Sequence, residues 1–468
     1  MDLVWDVVDQ GRRAAVDLLH GQQIDHSSPF SPDVPEDLRN WLPDLFDRFP
    51  ITLPWEKPRP VDPALHNVWI LDNTAFRTPA PGDHRPELAE LRDINVTKPK
   101  LTSEPGQTTQ SVQPGSGGWE VEFVAAYFIK NSGKALAHAT ASLIKQLNVD
   151  DHDEATKKRI STRLEAFVDS VLPNRTLRIS IDNKEEQTLS PSSYSGLSSD
   201  LLQLHFTPSA PQIQSNALTL PPPFGLPSTT VFAEEQGWAI ISDIDDTIKI
   251  TETTSPIGIL KSTFTVETPQ PVPGMPELYA HIQRVLTLPP TTTTTTTTNP
   301  TQQQPPNPPP FFYLSASPYN LYPFLRHFRT AHYPPGTIIL RDASWQNLGG
   351  LIASLQQNTQ AYKADRMRKI HSWLPHRKII CLGDSTQSDP EAYGELARRY
   401  PGWIRAVFIR RVEGIALMDE RVKNAPERFE RAFEGLERGV WHVFSEPGEL
   451  AERVERLARD EDARVGGE

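Results

Sequence analysis

Short apolar runs separated by helical patterns dominate the second half of the chain. Six such runs follow residue 236, at residues 238–241, 311–314, 338–340, 378–382, 406–409 and 440–444. Runs without polar alternation are typical of strands that are buried on both faces of a parallel sheet. Because helical stretches lie between them, the pattern indicates an α/β fold. We therefore predict a Rossmann-like parallel-sheet domain over residues 236–460.

The preceding region has a different pattern. Apolar side chains recur at helical spacing from Ile160 to Val171, and Pro173 is expected to end this helix. Apolar and polar side chains then alternate from Leu177 to Ile181, which is typical of a half-buried strand. These patterns predict a mixed α/β or β-sandwich-like domain over residues 119–235.

Other segments read as terminal regions or connections. Residues 1–77 are interpreted as a helical or extended N-terminal region, with an amphipathic helix over residues 1–25, and residues 78–118 as a flexible loop. Residues 289–310 contain eight Pro, nine Thr, three Gln, two Asn and no apolar residue. Because such a segment buries too little apolar surface to offset its ordering entropy, we predict a disordered insertion within the second domain.

Composition limits the classes of function. The 468 residues carry a formal net charge of −12, which argues against sequence-independent binding to nucleic acid. One cysteine, Cys381, excludes an intramolecular disulfide and a multi-cysteine metal site, and it is expected in the core of its strand. No apolar run reaches the length of a membrane span, and the first residues do not resemble a signal peptide. These features predict a cytoplasmic protein.

Acidic side chains follow the first apolar run of the second domain. Asp243, Asp245 and Thr247 form an Asp-x-Asp-x-Thr pattern, which alone also fits a polar turn that caps a helix. At the end of a buried strand, however, several carboxylates repel one another unless a cation neutralises them. Two carboxylates, phosphate oxygens and water form the usual environment of Mg²⁺.

Three further elements follow in order along the chain. Ser315 comes after the second run, and its hydroxyl could either bind phosphate or cap a helix. Lys363 lies near the start of a helix expected around residues 359–373, where it could also be simply solvated. Asp384 and Asp389 follow the fourth run, in a Gly-Asp turn that leads into another helix. In a parallel sheet these positions share the carboxyl edge.

Taken together, the four elements resemble the motifs of haloacid-dehalogenase-type phosphohydrolases. The resemblance to the actin patch protein phosphatidate phosphatases is closer, and it spans about residues 230–415. It rests on the segments Ile-Ser-Asp-Ile-Asp-Asp-Thr-Ile-Lys at 241–249, Val-Pro-Gly-Met at 272–275, Tyr-Leu-Ser-Ala-Ser-Pro at 313–318 and Ile-Cys-Leu-Gly-Asp-Ser at 380–385, with Asp-Pro-Glu at 389–391.

This resemblance implies a Mg²⁺-dependent hydrolysis of phosphatidate to diacylglycerol. Asp243 would be the nucleophile that forms an aspartyl-phosphate, and Asp245 the general acid and base. Lys363 and Ser315 would bind phosphate oxygens, and Thr247 would brace the loop beside the substrate. The metal set would be Asp243, Asp384, Asp389 and Asp245, the last through its backbone carbonyl.

Substrate and partners follow partly from spacing. The interval between Asp243 and Ser315 leaves room for only a short flap, so we expect an open site and a phosphate carried on a bulky body. The first expectation is a phosphatidate-containing membrane surface that the protein contacts peripherally. Candidate membrane contacts are the basic clusters at residues 326–329 and 366–369, and candidate phosphate contacts are Arg326 and Arg341.

Actin-patch or endocytic proteins could bind the Pro-rich segments. The alternatives are a phosphoprotein or soluble phosphoester as substrate, or a non-enzymatic trafficking adaptor.

Overall fold

The computed structural model describes residues 57–78, 118–130, 134–208, 210–220, 225–288, 306–341, 359–415 and 418–465. These residues belong to one compact unit of the chain. The predicted N-terminal helix over residues 1–25, almost all of the predicted loop over residues 78–118 and residues 289–305 of the predicted insertion lie outside the described residues.

A ten-stranded mixed sheet forms the first part of the described chain, in the order β11-β2-β4-β3-β12-β10-β7-β8, with β5 and β9 also paired to β4. Residues 66–77, which we assigned to a separate N-terminal region, contribute two strands to this sheet because they pair with residues 119–129 across the intervening segment. The ten strands are β2 His66–Ile70, β3 Asn73–Arg77, β4 Trp119–Ile129, β5 Ser170–Val171, β7 Arg178–Ile181, β8 Glu185–Thr188, β9 Leu197–Leu204, β10 Gln212–Ala217, β11 Gly225–Leu226 and β12 Ser228–Ala233. Two further short strands, β1 Arg59–Pro60 and β6 Arg175–Thr176, pair with each other in a separate parallel sheet.

Strand β4 is buried on both faces because its alternate side chains enter two different cores. Val121, Phe123 and Tyr127 pack in the core of the first sheet. Ala126 and Phe128 point to the opposite face and join a core that also contains residues of the following domain. The first sheet therefore packs directly against the second domain through this strand.

The predicted helix before residue 173 is shorter than its apolar spacing suggested. Helix α1 spans Lys134–Leu147 and helix α2 spans Glu154–Val168. The Asp153 carboxylate caps α2 by accepting the backbone N–H of Thr156, and Val171 lies beyond the helix in β5. Val171 pairs with Phe128 of β4. This strand pairing explains why Val171 is not helical although its spacing fits the helix.

All six apolar runs of the second domain form strands of one parallel sheet, which confirms the predicted α/β architecture. The order is β15-β14-β13-β16-β17-β18, and every neighbouring pair is parallel. Alternate residues of the central strand enter the two cores on opposite faces of the sheet. The strands are β13 Trp238–Asp243, β14 Phe311–Pro318, β15 Gly336–Arg341, β16 Lys378–Asp384, β17 Ile404–Arg410 and β18 Trp441–Phe444.

Helices cover both faces of this sheet, as its two cores require. Cys381 is fully buried in β16, as predicted. The helices are α3 Pro256–Leu260, α4 Met275–Leu286, α5 Tyr322–His332, α6 Thr359–Trp373, α7 Asp389–Arg399, α8 Glu420–Lys423, α9 Pro426–Ala432 and α10 Ala451–Val465, with a π-helical turn at Lys261–Thr265 and 3-10 turns at Tyr319–Leu321 and Pro447–Leu450.

The last residues of the predicted disordered insertion are ordered. Asn307 exchanges backbone hydrogen bonds with Leu288, at 3.1 and 3.2 Å. Its side-chain oxygen accepts from the buried guanidinium of Arg377 at 2.7 Å, and its amide nitrogen donates to the Gln236 carbonyl at 2.9 Å. The prediction of disorder over residues 289–310 is therefore wrong for residues 306–310, because Arg377 and Gln236 satisfy the polar groups of Asn307.

Basic side chains that we considered as membrane or phosphate contacts bind the first sheet instead. Arg326 and Arg329 of α5 both pair with the Asp72 carboxylate, Arg326 through Nε at 2.9 Å. Lys369 of α6 pairs with Glu122 of β4 at 2.7 Å. Asp72 and Arg329 are both buried, at 2% and 5% exposed. Arg326 is thus a domain contact, and the prediction that it meets phosphate is wrong.

We expect Asp72→Ala to lower the free energy of unfolding by about 3 to 5 kcal/mol, because it leaves a buried guanidinium without its counter-charge. Urea denaturation measures this change. Glu413→Ala, which removes an exposed ion pair with Arg411, is the matched control and should cost about 1 kcal/mol or less. If Asp72→Ala lowers the free energy of unfolding no more than Glu413→Ala does, Asp72 does not couple the two domains.

Candidate active site

The first candidate carboxylate lies at the centre of the parallel sheet, at its carboxyl edge. Asp243 is the last residue of β13, which lies between β14 and β16. Ser315 is in β14 and Asp384 is the last residue of β16. Because parallel strands end at the same edge, residues that are distant along the chain meet here.

Lys363 lies between two of the carboxylates. Its Nζ is 2.6 Å from Asp243 Oδ1 and also contacts Asp389 Oδ1. All three side chains are at most 1% exposed. The ammonium of Lys363 therefore bridges Asp243 and Asp389. Helix α6 therefore delivers its lysine to the strand ends.

Asp384 is held beside Asp243 by hydroxyl groups. Thr247 Oγ1 lies 3.1 Å from Asp243 Oδ2 and 3.2 Å from Asp384 Oδ2, so its single proton serves one carboxylate at a time. The backbone N–H and the hydroxyl of Thr386 both donate to Asp384 Oδ1. The Thr247 hydroxyl is thus committed to the two carboxylates, a contact that suits a residue that braces the loop.

Asp243, Asp384 and Asp389 each offer a carboxylate oxygen, and these oxygens lie within 4.8 Å of one another. Asp389 Oδ2 also accepts the backbone N–H of Asp384 at 3.0 Å. This close approach requires glycine at position 383, because a Cβ there would lie 2.6 Å from the Asp389 side chain. The Gly-Asp pair is therefore a packing requirement as well as a source of ligands.

Burial and mutual repulsion perturb the charges of this cluster. Burial, with further repulsion from Asp389 and Asp384, raises the pKa of Asp243 well above its usual range, although Lys363 opposes the shift. Burial and the Asp389 and Asp246 carboxylates raise the pKa of Asp384 to about 7. Burial disfavours the charged form of Lys363, but the adjacent Asp243 and Asp389 outweigh it and raise its pKa. The site is thus built to receive additional positive charge.

Two hydroxyl groups hold the Asp245 side chain. Its Oδ2 accepts the Ser315 hydroxyl at 2.6 Å, and its Oδ1 accepts the Thr251 hydroxyl at 2.9 Å. Both of its oxygens are therefore engaged by hydroxyl groups. The side chain of Asp245 is not in the cluster that could hold a metal, and Ser315, which we predicted to bind phosphate, donates to Asp245.

The loop that follows β13 depends on a residue that we did not single out. Asp246 adopts a positive φ of 59°, and its carboxylate accepts the backbone N–H groups of Thr251, Glu252 and Thr253 at 2.7 to 2.9 Å. The Thr253 hydroxyl lies 3.0 Å from that of Thr386, which joins this loop to the loop after β16. A second aspartate directly after Asp245 was the only sequence signal for this role.

Arg428 is another residue that the motifs did not reveal. Its guanidinium donates to the Ser385 and Gln387 carbonyls and pairs with Glu391 at 2.7 Å. It thereby fixes the loop that carries Asp384. Its sequence neighbourhood, on a short polar helix, offered no signal for this role.

The segment after Asp243 contains little regular structure. A one-turn helix and a π-helical turn are the helical elements of residues 244–274, before α4 begins. The carboxylates beneath it are buried, since Asp243, Asp245 and Asp384 are 1%, 4% and 0% exposed. The expectation of an open site that accepts a bulky substrate stays a prediction.

Comparison with known proteins agrees with the motifs. Residues 238–411 match the family model described as phosphatidate phosphatase APP1, catalytic domain. The chain is 26% identical over 199 residues to phosphatidate phosphatase APP1 of Saccharomyces cerevisiae, which covers 41% of this chain and 30% of that protein. It is 28% identical over 183 residues to an uncharacterized protein of Schizosaccharomyces pombe, covering 38% and 26%. The resemblance to this type of phosphatase is thereby confirmed.

The chain aligns with less than a third of the length of each of these curated relatives. The matched segment runs from β13 to the end of β17 and holds every residue of the site described above except Arg428. Within the described ranges, no helix combines the length and apolar character that crossing a bilayer would need.

Proposed function

We propose, from the match of residues 238–411 to the catalytic domain of phosphatidate phosphatase APP1, that this chain hydrolyses phosphatidate to diacylglycerol and phosphate. The observation that carries the proposal is the convergence of Asp243, Lys363, Asp384 and Asp389 at one sheet edge. A scaffold gains nothing from burying three carboxylates together, since burial of like charges costs free energy. The non-enzymatic adaptor is therefore the weaker hypothesis.

The donor set fits Mg²⁺. Asp243, Asp384 and Asp389 offer carboxylate oxygens that lie within 4.8 Å of one another, and carboxylate oxygens are the ligands that this ion prefers. Asp389 also contacts Lys363 and accepts the backbone N–H of Asp384, so it would hold these two groups in place beside the ion as well as belonging to the set of candidate ligands. A bound Mg²⁺ would reduce the repulsion between the substrate phosphate and the carboxylate that attacks it.

The residues supply the remaining chemistry of a two-step displacement. An Asp243 oxygen forms a bond to phosphorus while the bond from phosphorus to the diacylglycerol oxygen breaks, which leaves an aspartyl-phosphate. Asp245 donates a proton to the leaving oxygen and then accepts one from the water that hydrolyses the intermediate. Lys363 stabilises the negative charge on the transferring group. This is the reaction class of the haloacid-dehalogenase-type phosphohydrolases.

The lipid substrate places the reaction at a membrane surface that the protein contacts peripherally from the cytoplasm. Cortical actin patches, with endocytic proteins bound to the Pro-rich segments, are the setting that the family's name suggests. A phosphoprotein or a soluble phosphoester is the second candidate substrate, since a cluster of buried carboxylates does not by itself distinguish an acyl glycerol from a smaller leaving group.

The test is phosphate release by the purified protein from phosphatidate vesicles, glycerol phosphate and a phosphoserine peptide, each with Mg²⁺ and with a chelator. We expect Mg²⁺-dependent release that is about tenfold or more faster from the vesicles. Faster release from the peptide or the soluble ester would transfer the proposal to that substrate. No release from any of the three would favour the adaptor.

Metal binding should also be visible without an assay of activity. At a Mg²⁺ concentration of about 100 times its dissociation constant, we expect about 2.7 kcal/mol of added stability and a corresponding rise in melting temperature. Asp384→Asn should remove most of this rise, because it deletes a charged ligand. The matched control is Asp365→Asn, on the exposed side of α6, which should respond to Mg²⁺ as the wild type does. An equal rise in all three proteins would exclude Asp384 as a ligand.

A further inference from the structure

A second buried lysine lies next to the candidate site, and the reaction described above does not use it. Lys249 is 1% exposed. Its Nζ is 2.9 Å from Thr251 Oγ1 and lies over the Phe324 ring at 5.7 Å from the centroid. None of the ion pairs in the described part of the chain involves Lys249, so its strongest polar contact is the Thr251 hydroxyl.

The hydrogen bonds of Thr251 have a defined direction. An ammonium group only donates, so the Thr251 oxygen must accept from Lys249. The single hydroxyl proton of Thr251 is then free for Asp245 Oδ1, which is 2.9 Å away and closer than the alternative acceptor, the Lys249 carbonyl at 3.4 Å. The result is a chain from Lys249 through Thr251 to one oxygen of Asp245, while Ser315 holds the other at 2.6 Å.

The backbone that carries this chain is itself fixed. The Asp246 carboxylate accepts the N–H of Thr251 at 2.9 Å, and the Ser262 hydroxyl lies 3.1 Å from both the Thr251 and the Ile259 carbonyl, to one of which it donates at a time. The Tyr333 hydroxyl donates to the Ile248 carbonyl at 2.7 Å. The Thr251 backbone is therefore held in place independently of Asp245, so its hydroxyl can keep the Asp245 carboxyl group in one orientation.

We propose that Lys249 and Thr251 are positioning residues for Asp245, with the ammonium orienting the Thr251 hydroxyl and the hydroxyl fixing the carboxyl group in the direction of the leaving oxygen. This inference rests on the proposed function. It gives a role to two residues that the mechanism above does not use, and Asp245 remains the group that exchanges the proton.

A positioning role for Asp245 predicts a dependence on the leaving group. An alcohol is a poor leaving group unless it is protonated as the bond to phosphorus breaks, so hydrolysis of phosphatidate needs a correctly placed Asp245. The nitrophenolate released from p-nitrophenyl phosphate is stable without that proton. A merely structural defect in the loop would slow both reactions equally, because both need Asp243 and Lys363.

The experiment compares Thr251→Val, Thr251→Ser and Thr265→Val on both substrates. The measured quantity is kcat/KM, which reports the steps up to departure of the leaving group and leaves out the hydrolysis of the intermediate that both substrates share. For Thr251→Val we expect kcat/KM to fall by about 30-fold or more on phosphatidate, part of the roughly 10²- to 10⁴-fold that general acid catalysis contributes, and by less than about threefold on p-nitrophenyl phosphate. Thr251→Ser keeps the hydroxyl and should retain both activities. Thr265→Val, whose exposed hydroxyl bonds only the Lys261 carbonyl, is the matched control and should behave as wild type. Lys249→Met should show the same selectivity as Thr251→Val.

Equal losses on the two substrates, or no loss on either, would overturn the proposal. If the wild type hydrolyses neither substrate, the proposed function fails first, and a crystal structure of Thr251→Val then decides on the positioning. Rotation of the Asp245 carboxylate away from Ser315 would support the role of Thr251, and an unchanged carboxylate would refute it.

Discussion

Replacement of Asp243 by Asn is expected to reduce phosphate release from phosphatidate vesicles by at least about 10⁴-fold, because the neutral amide cannot form the bond to phosphorus. The fold should survive the change. Burial raises the pKa of Asp243, which means that the ionised carboxylate is disfavoured in the folded protein. An amide of the same shape removes repulsion from Asp384 and Asp389, which offsets the lost contact with Lys363.

Two measurements make this prediction specific. Urea denaturation should give a free energy of unfolding that is equal to or greater than that of the wild type. The control variant Asp365→Asn makes the same Asp-to-Asn change at a half-exposed side chain of α6. It should keep activity within about twofold of the wild type. Retention of more than a tenth of the wild-type rate by Asp243→Asn, in a folded protein, would exclude Asp243 as the nucleophile.

The sequence predicted the parallel sheet and the convergence of its motifs because both depend on local patterns. An apolar run of four to seven residues is visible without knowledge of its partners, and the edge at which its polar neighbours emerge follows from parallel pairing. The positions of Asp243, Asp384 and Lys363 therefore follow from topology alone.

The contacts of individual side chains could not be predicted in the same way. Arg326 and Arg329 look like an ordinary basic helix face, and only the pairing of β2 with β4 brings Asp72 to them. Ser315 has the spacing of a phosphate ligand, but its hydroxyl is 2.6 Å from Asp245. Such contacts depend on loop conformations and on domain packing, which no periodicity records.

Lys363→Met is expected to have a double effect, on catalysis and on stability. Removal of the cation that neutralises charge on the transferring group should lower kcat by about 10²- to 10³-fold. It also leaves Asp243 and Asp389 buried without a counter-charge, which should lower the free energy of unfolding by about 3 to 5 kcal/mol at pH 8 without metal. The double variant Lys363→Met/Asp389→Asn should recover part of this lost stability.

The stability loss of Lys363→Met should depend on pH with a definite sign. Without the lysine, the pKa of the Asp243 carboxyl group, which burial already raises, rises further above its value of about 4 in the unfolded chain, so the folded protein holds a proton that the unfolded chain releases. The loss is therefore small at pH 5 and grows as the pH rises towards 8. Arg368→Met, on the exposed face of the same helix, should show neither effect. A loss that is equal at pH 5 and pH 8 would mean that Lys363 stabilises the fold by packing, and that the three carboxylates do not depend on its charge.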